Sequence, residues 1–153
     1  GALRDSSLVV KRLGSANYVM AATPAYLRSA GAPRSPEDLV DHECIRRLGE
    51  APETHWALVS TTGRSRATAR LGGRFECSDA RLQSELIYGG FGIGLLPLAI
   101  ARRGQQSGLV ERVLPAWQFA PIPVWAVSPK GRLQLERVAH VVAMLERAVA
   151  ALS

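Results

Sequence analysis

Apolar and polar positions follow two periods along this chain, and the switches between them mark its elements. Residues 18–22 are apolar almost throughout and read as a short strand. Thr23-Pro24 then supplies an N-cap and a proline at the first helical position, and Gly31 closes the helix so begun. Ser35-Pro36-Glu37-Asp38 repeats the device, with a carboxylate three residues after the cap. Residues 44–48, 56–59 and 74–77 read as strands. So do residues 65–71, where Ala67, Ala69 and Leu71 alternate with Arg66, Thr68 and Arg70. Ser78 or Asp79 caps a helix over 80–88, with Leu82 and Leu86 on one face. A buried strand over 93–96, a short helix over 98–103 and a strand over 109–114 follow. A proline-rich connection (115–123) then leads into a strand over 124–127. Last, Val138, Val141, Val142, Leu145, Val149 and Leu152 fall on one helix face. Alternating strands and helices predict an α/β domain with a largely parallel sheet.

Composition narrows the class. A chain of 153 residues, 47% hydrophobic and 21% charged, has the makeup of one globular domain or two small lobes, and needs no disulfide or metal staple. Cys44 and Cys77 lie far apart with no CxxC spacing, which fits free thiols in the cytoplasm. No run nears the ~18 apolar residues of a membrane span, and the start GALRDSSLVV has no signal-peptide core.

The net charge of +6 comes almost wholly from arginine, since only Lys11 and Lys130 are lysines. Arg64, Arg66, Arg70 and Arg74 stand between Thr54 and Phe75 with no carboxylate among them. Such a cluster can mark nucleic acid. The alternating pattern fits a solvated strand face better, and no aromatic side chains interleave to stack bases.

The densest stretch is CSDARLQSELIYGGFGIGLLP, residues 77–97, with Gly89, Gly90, Gly92 and Gly94 close together. A dinucleotide fingerprint needs strand, GxGxxG, then helix; here a helix precedes the glycines and a strand follows. No Gly-Lys-Ser/Thr of a P-loop occurs. The glycines are expected to end the helix in the left-handed conformation and to let the next strand pack closely. Cys77, just before a helix start, is a candidate nucleophile. Neither His42, His55 nor His140 is placed beside it, and a small buried residue ending a strand is the better reading. No histidine spacing indicates a metal, and no cofactor motif is present. Ser78-Asp79 sits between the carboxyl end of a strand and the amino end of a helix, where open α/β sheets bind ligands and free N–H groups suit an anion. Thr23 occupies a comparable turn. Both residues are equally well explained as plain caps.

The ordered set DSSLVVKRLG, AATPAYLRSAG, PEDLVDHECI, HWAL, GGRFECSD, GGFGIGLLP, SGLVERVLPAW and VWAVSP resembles the effector-binding domain of LysR-type transcriptional regulators over essentially the whole chain. The resemblance implies a two-lobed fold like type 2 periplasmic binding proteins, with a small anionic or aromatic effector between lobes joined by two crossovers, near 17–23 and 122–127. One lobe would be 18–123 and the other, incomplete, 1–17 with 124–153. It places effector contacts at Thr23, Cys77, Ser78 and Asp79, although members often carry Asn where this chain has Ser78. The basic residue some members use near the first crossover is not evident at Asn17-Tyr18. The implied protein is not an enzyme and is cytoplasmic, and it assembles as a homodimer or homotetramer. It meets DNA only through a winged helix-turn-helix that this sequence does not contain, so the chain reads as a fragment. A small enzyme using Cys77 or Asp79 is the alternative. In such a fragment the helix stripe 138–152 is expected to lack part of its packing partner, leaving it mobile or covered by a second copy.

Overall fold

A computed structural model describes residues 8–49, 53–129 and 136–151. Strands β1 (Leu8–Ala16) and β2 (Tyr18–Ala22) lead into helix α1 (Pro24–Ala30) and a 3-10 helix over Pro36–Asp41. Then come β3 (Arg46–Arg47), β4 (His55–Ser60), β5 (Arg66–Arg70), β6 (Glu76–Cys77), α2 (Ala80–Tyr88), β7 (Gly94–Pro97) and α3 (Leu98–Gln106). The chain ends with β8 (Glu111–Arg112), β9 (Trp117–Gln118), β10 (Ile122–Pro129) and α4 (Glu136–Ala150). It divides into two compact units, Gly1–Asn17 with Pro121–Ser153, and Tyr18–Ala120. The second boundary falls just before β10 and leaves that strand whole.

The larger unit is built around β2. Its period-2 alternation sends Met20 and Ala22 into one core cluster, with Leu39, Trp56, Leu58 and Ile93. Val19 and Ala21 enter the other, with Ile45, Cys77, Ile87 and Leu96. Strand β2 is thus covered on both faces, which accounts for its unbroken apolar run. Around it, β7 and β8 pair with β2, β3 pairs with β6, and a bridge between Cys44 and Ile93 joins the two sets. Helices α2 and α3 cover one face. The other carries α1, the 3-10 helix and a second sheet in the order β5-β4-β9.

The expected largely parallel sheet is corrected by these pairings. Among the described residues only β3–β6 and the Cys44–Ile93 bridge are parallel; β2–β7, β2–β8, β4–β5, β4–β9 and β1–β10 are all antiparallel. A tight turn joins β4 to β5, with Gly63 in the left-handed region donating to the Ser60 carbonyl, and a link this short permits only antiparallel pairing. Strand β9 lies inside the segment expected to be a plain connection.

The glycine run is architectural. Gly90 is left-handed (φ 78°), its N–H donating to Ile87 O at 3.0 Å and the Phe91 N–H to Leu86 O at 3.1 Å. That is a Schellman cap ending α2. Gly92 packs against the Glu43 carbonyl, and a β-carbon on Gly94 would lie 2.6 Å from Ile87 Cδ1.

In the smaller unit, β1 and β10 form a two-stranded ladder on which α4 packs. Lys11 Nζ pairs with Glu146 at 2.9 Å, and Val149 fills the space over Gly14. Of the predicted helical stripe, Val142 and Val149 are buried while Val141 and Leu145 are about half exposed. Leu152 lies outside the described residues.

Candidate functional site

Strand directions decide which candidate residues can act together. Cross-strand partners place Tyr18 beside Pro97, Leu96 beside Val19, and Gly94 beside Ala21. The parallel pairs align Cys44 with Ile93 and Arg47 with Cys77. Following these levels across the sheet, Cys77-Ser78 emerges at the same end as Tyr18 and Pro97. Thr23 emerges at the opposite end, beside Gly90, Gly92 and Glu43. The five residue steps from Tyr18 to Thr23 separate the two ends by roughly 17 Å along the strands. The four residues grouped from sequence therefore do not form one site.

At the first end, Asp79 is the N-cap of α2. Its Oδ1 accepts the Leu82 N–H at 2.8 Å, and its carbonyl accepts the Gln83 N–H at 3.0 Å. The buried Gln83 amide reaches across to donate to the Ile45 carbonyl at 3.1 Å, anchoring the helix to the residue just before β3. Ser78 and Asp79 are exposed, whereas Cys77 is buried in the core below them. Burial, helped by the Asp79 carboxylate, raises the Cys77 thiol above its ordinary value. A nucleophile needs the reverse. Cys44 is also buried, donates to the Leu39 carbonyl at 3.4 Å and is pushed up to about 12, chiefly by desolvation.

At the second end, Thr23 is buried (7% exposed) and its Oγ1 caps α1 by accepting the Tyr26 N–H at 3.2 Å. Beside it lies a polar network that no sequence motif signals. Tyr26 Oη accepts the Glu43 backbone N–H at 3.0 Å and lies 3.2 Å from His42 Nδ1. The histidine tautomer sets which of the two donates in that second bond. Desolvation of the phenol is the main cause of its raised pKa. The Glu43 carboxylate in turn accepts the Arg74 backbone N–H at 3.0 Å and pairs with its Nε at 3.3 Å. These contacts span separations of 16 to 31 residues, so no local spacing signals them. Asp38 is held below the usual carboxylate range by the backbone N–H groups of Arg34 and Ser35, as expected of a capping box. Among the described residues no cluster of histidine, cysteine or carboxylate side chains can hold a metal ion.

The family model for the LysR substrate binding domain matches residues 1–150. The chain belongs to the LysR substrate-binding domain family. It is similar to the HTH-type transcriptional activator AaeR of Escherichia coli, at 33% identity over 137 residues, which is 89% of this chain and 44% of AaeR. Among solved structures it resembles full-length AphB, the Vibrio cholerae virulence activator, with TM-score 0.76 and 26% identity over 97% of this chain and 49% of AphB. The regulatory domain of CrgA from Neisseria meningitidis shares the fold at TM-score 0.76 and 23% identity, covering 97% of this chain and 72% of that domain. This LysR domain spans less than half the length of AaeR. Its fold is the periplasmic-binding-protein-like one of LysR regulatory domains, and the relatives are transcriptional regulators. Among the described residues no helix is long and apolar enough to cross a membrane.

Proposed function

We propose that this LysR domain senses a small anionic or aromatic metabolite at the Ser78–Asp79 end of its central sheet. The observation carrying this reading is the start of α2. Ser78 and Asp79 are exposed there, and the backbone N–H groups of Ala80 and Arg81 have no acceptor among the described residues. Unpaired N–H groups at the positive end of a helix dipole suit a carboxylate. Thr23 stands apart from this site: it is buried, and its hydroxyl is engaged by Tyr26. In a whole regulator, effector binding biases the arrangement of the domain and thereby DNA occupancy through a helix-turn-helix. The whole protein works in the cytoplasm as a homodimer or homotetramer and catalyses no reaction. A thermal-shift screen of small carboxylates and aromatic acids tests the reading: at least one compound raises the melting temperature in a saturable way.

A further inference from the structure

Four arginines stand between Thr54 and Phe75, and the fold sorts them into two kinds. Arg74 is paired with Glu43. Arg64, Arg66 and Arg70 are exposed, and none pairs with a carboxylate among the described residues. The β4–β5 ladder sets His55 opposite Arg70, Ala57 opposite Thr68 and Val59 opposite Arg66. These six residues share one face, while Trp56, Leu58 and Ala69 on the other are buried. The face carries basic groups and no acidic one. At the hairpin tip, Ser60 Oγ accepts the Ser65 N–H at 3.0 Å and lies 3.1 Å from Thr62 Oγ1, gathering hydroxyls next to Arg64.

Solubility alone favours charges of both signs interspersed over a surface. This one has a single sign over its whole length. Arg66 and Arg70, four residues apart, are separated by roughly 13 Å. A DNA duplex carries one charge per about 1.7 Å of axis, so side chains at that separation reach different phosphates. Guanidinium forks and hydroxyls are the usual phosphate partners, and the face has no aromatic ring to stack on a base. We infer that the solvent face and tip of the β4–β5 hairpin form a sequence-independent contact for the phosphate backbone of duplex DNA, additional to any helix-turn-helix.

The test uses the 153-residue chain and a short fluorescent duplex of random sequence, titrated between about 50 and 200 mM salt. Binding is expected to weaken with salt. The triple variant Arg64→Gln, Arg66→Gln, Arg70→Gln should flatten the log–log slope by about 2–3, close to 0.9 per lost phosphate contact. A control neutralising the exposed Arg28, Arg102 and Arg103 removes the same charge and should leave the slope nearly unchanged. Thermal melts of both variants establish that they are folded. Three results overturn the inference: no measurable binding at the lowest salt, equal loss in the two variants, or poly-glutamate bound as tightly as the duplex. The last would assign the face to an acidic protein instead.

Discussion

The backbone of Gly92 lies so close to the Glu43 carbonyl that a β-carbon on residue 92 would overlap it, while the next residue, Ile93, donates its N–H to the same oxygen at 2.8 Å. The bridge joining the two halves of the central sheet depends on this approach. Backbone cannot swing aside as a flexible side chain can, so Gly92→Ala should cost at least the roughly 1–3 kcal/mol of core overpacking. Urea denaturation measures it. A loss below about 0.5 kcal/mol, the range of an ordinary surface change, would contradict the packing role.

Tyr26 holds α1 to the loop before β3 through Glu43 and His42. Tyr26→Phe keeps the ring and removes the oxygen, stranding the Glu43 N–H and a ring nitrogen of the buried His42. The expected loss is about 1–3 kcal/mol, the desolvation penalty of stranded polar groups. Equal midpoints for the two proteins would show that water replaces the hydroxyl without cost.

The Cys44 thiol has a pKa pushed up to about 12, from an ordinary value of about 8.5. Folding therefore favours its neutral form. The resulting stability is complete below about pH 8.5 and is lost as pH rises toward 12. Stability measured from neutral to alkaline pH should fall across that window, with a shallower fall in Cys44→Ala. Both thiols should also resist alkylation in the native state at neutral pH. Rapid native labelling of either would contradict their burial.

In the smaller unit, Trp125 and Val127 on β10 and Val141, Met144 and Leu145 on α4 are each about half exposed. A two-stranded ribbon with one helix has little core of its own. Self-association that grows with concentration is the expected outcome, and Val141→Glu with Leu145→Glu should reduce it without lowering the melting temperature. Sedimentation velocity decides: a monodisperse monomer at all concentrations contradicts the expectation.

Helix α2 was legible from sequence to the residue, because an Asp79 cap and a Gly89-Gly90 stop are local signals. Strand β2 was legible because its apolar run is unbroken. Strand direction was not. Alternating elements give no sign that β2 runs against β3, β6 and β7, so Thr23 and Cys77-Ser78-Asp79 looked alike as strand-to-helix turns. Antiparallel pairing sends them to opposite ends of the sheet. The Tyr26–His42–Glu43 network was invisible for a related reason, since tertiary approach alone brings its members together.

Sensing at the start of α2 is tested most directly by a thermal shift measured with and without a charge placed there. A compound at about 100 times its Kd adds roughly 2.7 kcal/mol, or a rise on the order of 5–11 °C for a domain of this size. Ser78→Asp places a carboxylate beside the unpaired N–H groups of the first turn. It should abolish the rise caused by an anionic compound, while Thr23→Val at the far end keeps it. A rise that survives Ser78→Asp undiminished, or one lost in Thr23→Val alone, would contradict the proposed site.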